Sequence, residues 1–131
     1  MHIIVTRVAT GLSKHHGMGG FATEYLPKGT VFDPITDANF RGFNWSNRPN
    51  TVPINISGNK FAGHMLAIRD IHPHEEITFP RYQSPGMSDL DAAKRTFRAA
   101  LDKAGFSHYK SSVDDVTADE LLAPIAGHHN I

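Results

Sequence analysis

The sequence predicts a mainly β fold of short strands in small sheets, followed by two C-terminal helices. Residues 1–86 contain most of the eleven glycines and eight prolines, which separate short β-branched or aromatic runs. After Gly86 the apolar residues recur at three- and four-residue spacing, which is the helical period. We expect a β domain over residues 1–86 and a helical appendage over 87–131 packed on it as one globular unit, since roughly 45 residues cannot bury a core alone.

Six segments have the length and composition of strands, and none has a sustained helical period. They are Ile3–Val8, Gly20–Thr23, Thr30–Phe32, Thr51–Ile56, His64–Arg69 and Glu76–Phe79. In the fourth segment Val52, Ile54 and Ile56 alternate onto one face of the predicted strand. Pro53 has no amide hydrogen to donate to a neighbouring strand, so this segment is expected at a sheet edge or at the start of a strand.

The longer helix is predicted between Ser88 and Gly105. The Ser88 hydroxyl can cap the first turn, and Gly105 suits the left-handed backbone that ends many helices. A shorter helix is predicted after Thr117, because Thr117 and Glu120 have the spacing of a capping box, and Pro124 limits its length. The face of the longer helix expected to pack on the β part consists of Leu90, Ala93, Phe97, Ala100, Leu101 and Ala104.

Composition narrows the classes of function. The chain has 131 residues with 13 Lys and Arg against 13 Asp and Glu, so no overall positive field indicates nucleic acid or anionic lipid as a partner. The absence of cysteine excludes disulfides, cysteine-ligated zinc, iron–sulfur clusters and thiol catalysis. No segment approaches the ~20 apolar residues of a membrane helix, and the N-terminal apolar run is too short for a signal peptide. We therefore expect a soluble, cytoplasmic protein.

The nine histidines and the paired glutamates are candidates for metal or acid–base chemistry. The histidine pairs are His15–His16, His72 with His74, and His128–His129. Pro73 indicates a turn inside the second pair, so solvated loop histidines are favoured and no metal site is expected. Glu75 and Glu76 are adjacent, and adjacent strand residues face opposite sides, which argues against a cooperating carboxylate pair.

Basic residues outnumber acidic ones in the middle of the chain, with aromatic residues among them. They are Arg41, Arg48, Lys60, Arg69 and Arg81, interspersed with Phe40, Phe43, Trp45 and Phe61. Such a face can stack single-stranded nucleic acid, but packing of the aromatic rings in the core is the favoured interpretation. Nucleic acid is therefore not the expected partner.

Three segments of the β part form a pattern in sequence order. The first is His-Gly-Met-Gly-Gly-Phe-Ala-Thr at 16–23, followed by Leu-Pro-Lys-Gly-Thr-Val at 26–31. The second is Phe-Asn-Trp-Ser-Asn-Arg-Pro-Asn at 43–50, and the third is Ala-Ile-Arg-Asp-Ile-His-Pro-His-Glu-Glu-Ile-Thr-Phe at 67–79. Together they resemble the SET-domain family of lysine methyltransferases, whose second signature, Asn-His-Ser-x-x-Pro-Asn, is matched at Asn44, Ser46, Pro49 and Asn50. The resemblance covers about residues 1–82.

The resemblance implies a SET-like fold of the β-clip type and S-adenosylmethionine as cofactor. In the family, the Gly-x-Gly backbone and the Asn bind this cofactor, and the residue after the Asn contacts adenine through its main chain. Carried across, the cofactor-binding residues are Gly17, Met18, Gly19, Asn44 and Trp45. Glycine carries no Cβ and can take positive φ, so its amides can approach a ligand closely, and an Asn amide both donates and accepts.

The chain departs from the family pattern in four ways, of which the first is a pair of substitutions. Trp45 replaces the family's His, and His74 replaces the Gly of the turn before the glutamate pair. The span between Phe32 and Phe43 is short where family members usually carry an inserted subdomain that forms one wall of the substrate groove. There are no cysteines for the zinc-binding segment that often closes the cofactor site, a role that the C-terminal helices are candidates to take.

The fourth departure concerns the catalytic tyrosine, for which Tyr82 is the candidate. Arg81 occupies the family's tyrosine register, so Tyr82 is expected to reach that position only if the chain bulges at Phe79–Pro80. At the family's tyrosine position, the Tyr82 hydroxyl would orient the amine of a lysine in the protein substrate.

Two functions follow from the resemblance. One is a minimal protein-lysine methyltransferase that uses S-adenosylmethionine, and the other is a degenerate SET-like module that binds a protein partner and catalyses nothing. The retained Gly17-Met18-Gly19 and Asn44 favour the first, whereas the short span and the displaced tyrosine favour the second. A homodimer is one arrangement that would complete the groove of so short a domain.

Overall fold

A computed structural model describes residues 7–15, 17–33, 43–56, 64–82 and 86–122. Within these ranges the chain forms short strands in two small sheets and then two helices, which confirms the mainly β class predicted from the sequence. The elements are β1 (Val8–Leu12), β2 (Met18–Ala22), β3 (Val31–Phe32), β4 (Asn44–Ser46), β5 (Thr51–Ile54), β6 (His64–Ala67), β7 (Glu76–Pro80), α1 (Asp89–Ala104) and α2 (Ala118–Leu122).

The larger sheet has four strands in the order β1-β2-β7-β4. β1 and β2 form an antiparallel hairpin, closed where the Ser13 amide donates to the Gly17 carbonyl at 2.8 Å. β7 pairs antiparallel with β2 and parallel with β4, with Trp45 opposite Phe79. Because β7 lies between β2 and β4, this sheet brings the three segments of the sequence pattern onto neighbouring strands.

The smaller sheet has the order β3-β6-β5, so β5 lies at an edge, as Pro53 predicts. Val52 and Ile54 of β5 are fully buried. The prediction that Ile56 shares their strand face is wrong, because β5 ends at Ile54, and the Ile56 side chain is 50% exposed. The chain turns away there, where the Asn55 amide donates to the Lys110 carbonyl at 3.0 Å.

Both helices begin where the sequence predicts. At the start of α1 the Asp91 amide donates to the Ser88 hydroxyl at 3.2 Å, and Gly105 ends the helix with a φ of 90°. At α2 the Thr117 hydroxyl accepts from the Glu120 amide at 3.2 Å, and the Glu120 carboxylate accepts from the Thr117 amide at 3.0 Å. The capping box therefore forms as its spacing predicts.

Helix α1 packs its apolar face on the smaller sheet. Phe97 and Leu101 are buried, and they form one cluster with Val52, Ile54 and Leu66 from the strands. A second apolar cluster, which includes Val8, Leu26 and Ile77, fills the space beside the larger sheet. No helix in the described part of the chain has the length and apolar character needed to cross a membrane.

Besides β5, two strands depart most from the sequence prediction. The predicted Ile3–Val8 lies largely outside the described residues, and the observed first strand starts at Val8 and continues to Leu12, because Gly11 and Leu12 pair with Gly19 and Met18 across the hairpin. β4 was not predicted, since Asn44–Ser46 has no alternating apolar pattern and becomes a strand only through its pairing with β7.

Candidate functional site

The carboxylate of Glu76, at the start of β7, joins the segments of the sequence pattern. Its two oxygens accept from the Ser13 hydroxyl at 2.7 and 2.8 Å, and Oε2 also accepts from Asn44 Nδ2 at 2.8 Å. Asn44 Nδ2 lies 3.3 Å from the Met18 carbonyl as well, which is a longer contact. Hydrogen bonds to an ionised acceptor are the strong ones, so Glu76 holds the side-chain amide of Asn44 in one orientation between β2 and β7.

The two glycines of the Gly-x-Gly segment have different roles. Gly17 has a φ of 51°, and a Cβ added there would meet nothing within 4 Å, so its backbone is open to approach from outside. Gly19 is buried, and a Cβ there would collide with the Glu76 carboxylate and lie 3.1 Å from Asn44 Nδ2. Gly19 is therefore needed for packing against Glu76, while Gly17 keeps the accessibility expected from the sequence.

A cavity of about 610 Å³ lies beside this network, and we call it the aromatic cavity. Its aromatic lining is Phe43, Trp45, Phe79 and Tyr82, and its polar lining is His15, Asn44 and Arg81. The Trp45 and Tyr82 rings meet edge to face with their centroids 5.2 Å apart. The guanidinium carbon of Arg81 lies 5.9 Å from the Trp45 ring centroid, a cation–π distance.

Tyr82 lines the aromatic cavity, although the strand before it lacks the bulge that would bring Tyr82 into the family's tyrosine register. β7 pairs with β4 in unbroken register through Pro80, and the Arg81 amide continues the pairing by donating to the Ser46 carbonyl at 3.2 Å. The bulge at Phe79–Pro80 on which the family's tyrosine position depends therefore does not form. The Tyr82 ring instead packs edge to face against Phe97 of α1, with their centroids 6.1 Å apart, so the helix fixes the ring at the cavity.

Glu75 belongs to a separate network with Asn50, which anchors β7 from its other side. The buried Asn50 side chain donates to the Glu75 carboxylate at 3.2 Å and to the Glu76 carbonyl at 2.7 Å, and it accepts from the Thr78 amide at 2.9 Å. Arg69 Nη1 lies 2.7 Å from Glu75 Oε2. The carboxylates of Glu75 and Glu76 thus bind different partners, as the adjacent positions of the two residues predict.

The pKa of Glu75 lies below its ordinary value of 4.5. Burial alone would raise this pKa, but hydrogen bonds from the His72 amide, the Arg69 guanidinium and the Asn50 side chain outweigh burial. A carboxylate with a lowered pKa stabilises the fold above its unfolded pKa, and that contribution is lost as the pH falls through the folded pKa.

We therefore expect Glu75→Gln to reduce the sensitivity of the fold to acid. Between about pH 6 and about pH 3, the free energy of unfolding of the unmodified chain should fall more than that of the variant, because only the carboxylate gains a proton on unfolding. Urea titrations followed by circular dichroism at both pH values measure the two losses. Equal losses would contradict the network, and Arg69→Gln should give an intermediate loss because the other two donors remain.

The residues predicted as cofactor-binding or catalytic are only partly brought together. Asn44, Trp45 and Tyr82 line the aromatic cavity. Met18 contributes its carbonyl to the Asn44 amide, and its side chain is 46% exposed. Gly17 lies at the hairpin turn, and His16 and residues 34–42 are outside the described part of the chain.

Sequence reasoning missed the roles of Ser13, Glu76 and Arg81 at this site. Glu76 belongs to the third segment of the pattern, which marked it as a residue of interest. Its hydrogen bond with Asn44 could not be predicted, because Asn44 is 32 positions away in the sequence. Ser13 has no motif signal at all, because its position opposite Glu76 depends on the β1–β2 hairpin. Arg81 was considered in the register of the tyrosine and among the basic residues interspersed with aromatic ones, but its contact with the Trp45 ring was not predicted.

The histidines do not assemble into a metal site in the described ranges. No group of three or more histidine, aspartate or glutamate side chains in these residues is arranged to hold a metal ion. The ring of His72 stacks on Tyr25 with centroids 5.4 Å apart, and His15 lines the aromatic cavity. His128 and His129 lie outside the described residues.

No protein-family model matches the chain, and no curated protein matches it. Its function is therefore inferred from the residues of the three segments and from the geometry that joins them.

Proposed function

We propose that the chain is a SET-like methyltransferase that uses S-adenosylmethionine to methylate a lysine of a protein substrate. One observation carries the proposal. The three segments of the sequence pattern lie on the adjacent strands β2, β7 and β4, and Asn44 joins them through Glu76 and Met18 at the edge of the aromatic cavity.

The residues present are compatible with such a cofactor. The aromatic cavity, at about 610 Å³, is within the size range of small-molecule sites. Gly17 has an open backbone in the left-handed region, which suits close approach of a ligand, and Asn44 and the main chain of Trp45 border the cavity. The faces of Trp45 and Tyr82 attract cations, and the cofactor carries a positive sulfonium. When bound, the cofactor supplies an electrophilic methyl group.

The chain's own residues would orient the acceptor and exclude water. Methyl transfer to an amine is an in-line displacement, which needs a deprotonated lysine aligned with the donor carbon. The Tyr82 hydroxyl has no hydrogen-bond partner among the described residues, so it is available to accept from or donate to an amine. The rings of Phe43, Trp45 and Phe79 would replace water around the reacting groups.

A non-catalytic SET-like module is the second candidate, and Arg81 is the observation that favours it. Its guanidinium already lies over the Trp45 ring, where a positively charged ligand would otherwise be attracted. Such a module would bind a protein partner without the cofactor. The two candidates therefore differ first in cofactor binding.

Calorimetric titration with S-adenosylhomocysteine separates the two candidates. The unmodified chain should bind with a Kd of about 1 to 100 μM, equivalent to about 5.5 to 8 kcal/mol. Asn44→Ala should weaken binding about tenfold, because it removes the amide that borders the cavity. No heat from the folded, unmodified chain at millimolar ligand would rule out the methyltransferase and favour the module.

Asn47→Ala is the matched control for this titration. Asn47 is exposed and follows β4 directly, and the lining of the aromatic cavity does not include it. Its replacement should leave the affinity for S-adenosylhomocysteine unchanged. Thermal melts of both variants show whether a loss of affinity in Asn44→Ala comes from the site or from partial unfolding, since the Glu76 carboxylate loses a partner in that variant.

A further inference from the structure

A second cavity of about 510 Å³ adjoins the aromatic cavity, and we call it the basic cavity. His15 and Arg81 line both cavities, so the two meet at these side chains. Three more basic side chains line the second cavity, from the hairpin before β2 and from the loops after β4 and β6. They are Lys14, Arg48 and Arg69.

The carboxylates in the basic cavity are already bound. Glu75 forms an ion pair with Arg69 at 2.7 Å. The Glu76 carboxylate accepts hydrogen bonds from Ser13 and Asn44. Ser13 and Asn44 are neutral donors that do not compensate the charge of Glu76, so within the described part of the chain only Glu75 is paired with a cation.

Among the described residues, four cationic side chains line the basic cavity (Lys14, Arg48, Arg69 and Arg81) against the two carboxylates of Glu75 and Glu76, an excess of two positive charges. In the described residues, no ion pair involves Lys14, Arg48 or Arg81. The whole chain balances 13 basic against 13 acidic residues, so this local excess does not follow from a basic composition. A cleft in which charges of one sign are in excess attracts the opposite charge.

The lining favours an acidic polypeptide over a nucleic acid. A nucleic acid strand carries a phosphate at every nucleotide, and in this cavity some of them would meet Glu75 and Glu76. An acidic side chain of a peptide presents a single carboxylate, which meets less repulsion from Glu75 and Glu76 than a row of phosphates does. The zero formal charge of the chain also argues against polyanion binding.

We propose that the basic cavity binds an acidic side chain of the polypeptide whose neighbouring residue enters the aromatic cavity. The inference rests on the proposed function only in taking a polypeptide as the ligand, and peptide binding itself requires no cofactor. In the methyltransferase, the substrate lysine would thus be flanked by aspartate or glutamate. Arg81, which lines both cavities, and Arg48, which lines the basic cavity, would select that flank.

Fluorescence anisotropy with two labelled peptides tests this specificity. Both peptides have a central lysine, flanked by glutamates in one and by glutamines in the other. The unmodified chain, without cofactor, should bind the glutamate peptide at least about fivefold more tightly, and added salt should reduce this preference because it screens exposed charges. Arg48→Gln should weaken binding of the glutamate peptide about two- to fivefold and leave binding of the glutamine peptide unchanged.

Arg95→Gln is the matched control, because Arg95 is exposed on α1 and lines neither cavity. The proposal would be overturned if the chain bound the two peptides with equal affinity or bound neither. It would also be overturned if Arg95→Gln lost as much affinity for the glutamate peptide as Arg48→Gln. Displacement of the glutamate peptide by an equimolar single-stranded oligonucleotide would overturn it too, because this would indicate nucleic acid as the ligand. These peptide titrations contain no S-adenosylhomocysteine. Failure to bind S-adenosylhomocysteine would reject the methyltransferase, whereas failure to prefer the glutamate peptide would reject the proposed specificity of the basic cavity.

Discussion

Tyr82→Phe is expected to lower the turnover of the proposed methyltransferase by about 10- to 1,000-fold, which corresponds to about 1.4 to 4 kcal/mol of barrier. The substitution removes the hydroxyl that would align the acceptor amine. It keeps the ring, whose contacts with Trp45, Phe79 and Phe97 account for its position at the aromatic cavity. The affinity for S-adenosylhomocysteine and the melting temperature should therefore stay unchanged. Methyl transfer to a lysine peptide, followed by mass spectrometry, measures the rate.

Tyr109→Phe is the matched control for this prediction. Tyr109 is another partly buried tyrosine that packs against the α1 cluster, and it lies outside the lining of the aromatic cavity. Turnover in this variant should equal that of the unmodified chain. If Tyr82→Phe retains full turnover while the chain binds S-adenosylhomocysteine, Tyr82 is only a packing residue and the catalytic assignment is wrong.

Leu101→Ala is expected to lower the free energy of unfolding by about 2 to 5 kcal/mol. Leu101 is fully buried on α1, in one cluster with Val52, Ile54 and Leu66 of the smaller sheet. Truncation removes apolar contacts and leaves a cavity between helix and sheet, which these short strands can close only partly. Urea denaturation measures the loss.

Leu90→Ala provides the comparison on the same helix. Leu90 lies in the first turn of α1 and is only partly buried, so its truncation should cost clearly less than that of Leu101. An unchanged denaturation midpoint for Leu101→Ala would show that α1 does not stabilise the β part. Equal losses in the two variants would contradict the observed burial difference along the helix.

The helices could be predicted in detail because their signals are local. Ser88 caps an amide three positions later, Gly105 takes the left-handed backbone, and Thr117 and Glu120 bind each other across one turn. Each of these interactions joins residues that are near neighbours in the chain, so residue type and spacing are sufficient. Pro53 likewise identified β5 as an edge strand through a property of the residue itself, its missing amide hydrogen.

The candidate site depends on contacts that no local pattern contains. Asn44 and Glu76 are 32 positions apart and Ser13 and Glu76 are 63 apart, and both pairs meet only because β7 lies between β2 and β4. Asn44 was predicted from the motif around it, whereas its orientation by Glu76 was not. The strand character of Asn44–Ser46 has the same origin, since β7 supplies the hydrogen bonds of β4.

By itself, the sequence determined the mainly β class, both helices and the presence of Asn44, Trp45 and Tyr82 as candidates. Only the tertiary structure decided that these three residues line one cavity and that Tyr82 reaches it without a bulge at Phe79–Pro80. It also showed that Gly19 leaves the space that the Glu76 carboxylate occupies. The physical reason is that a ring beyond the end of a strand turns towards the apolar surface available to bury it. For Tyr82 that surface is Phe97 of α1, which is distant in sequence and close only in the folded chain.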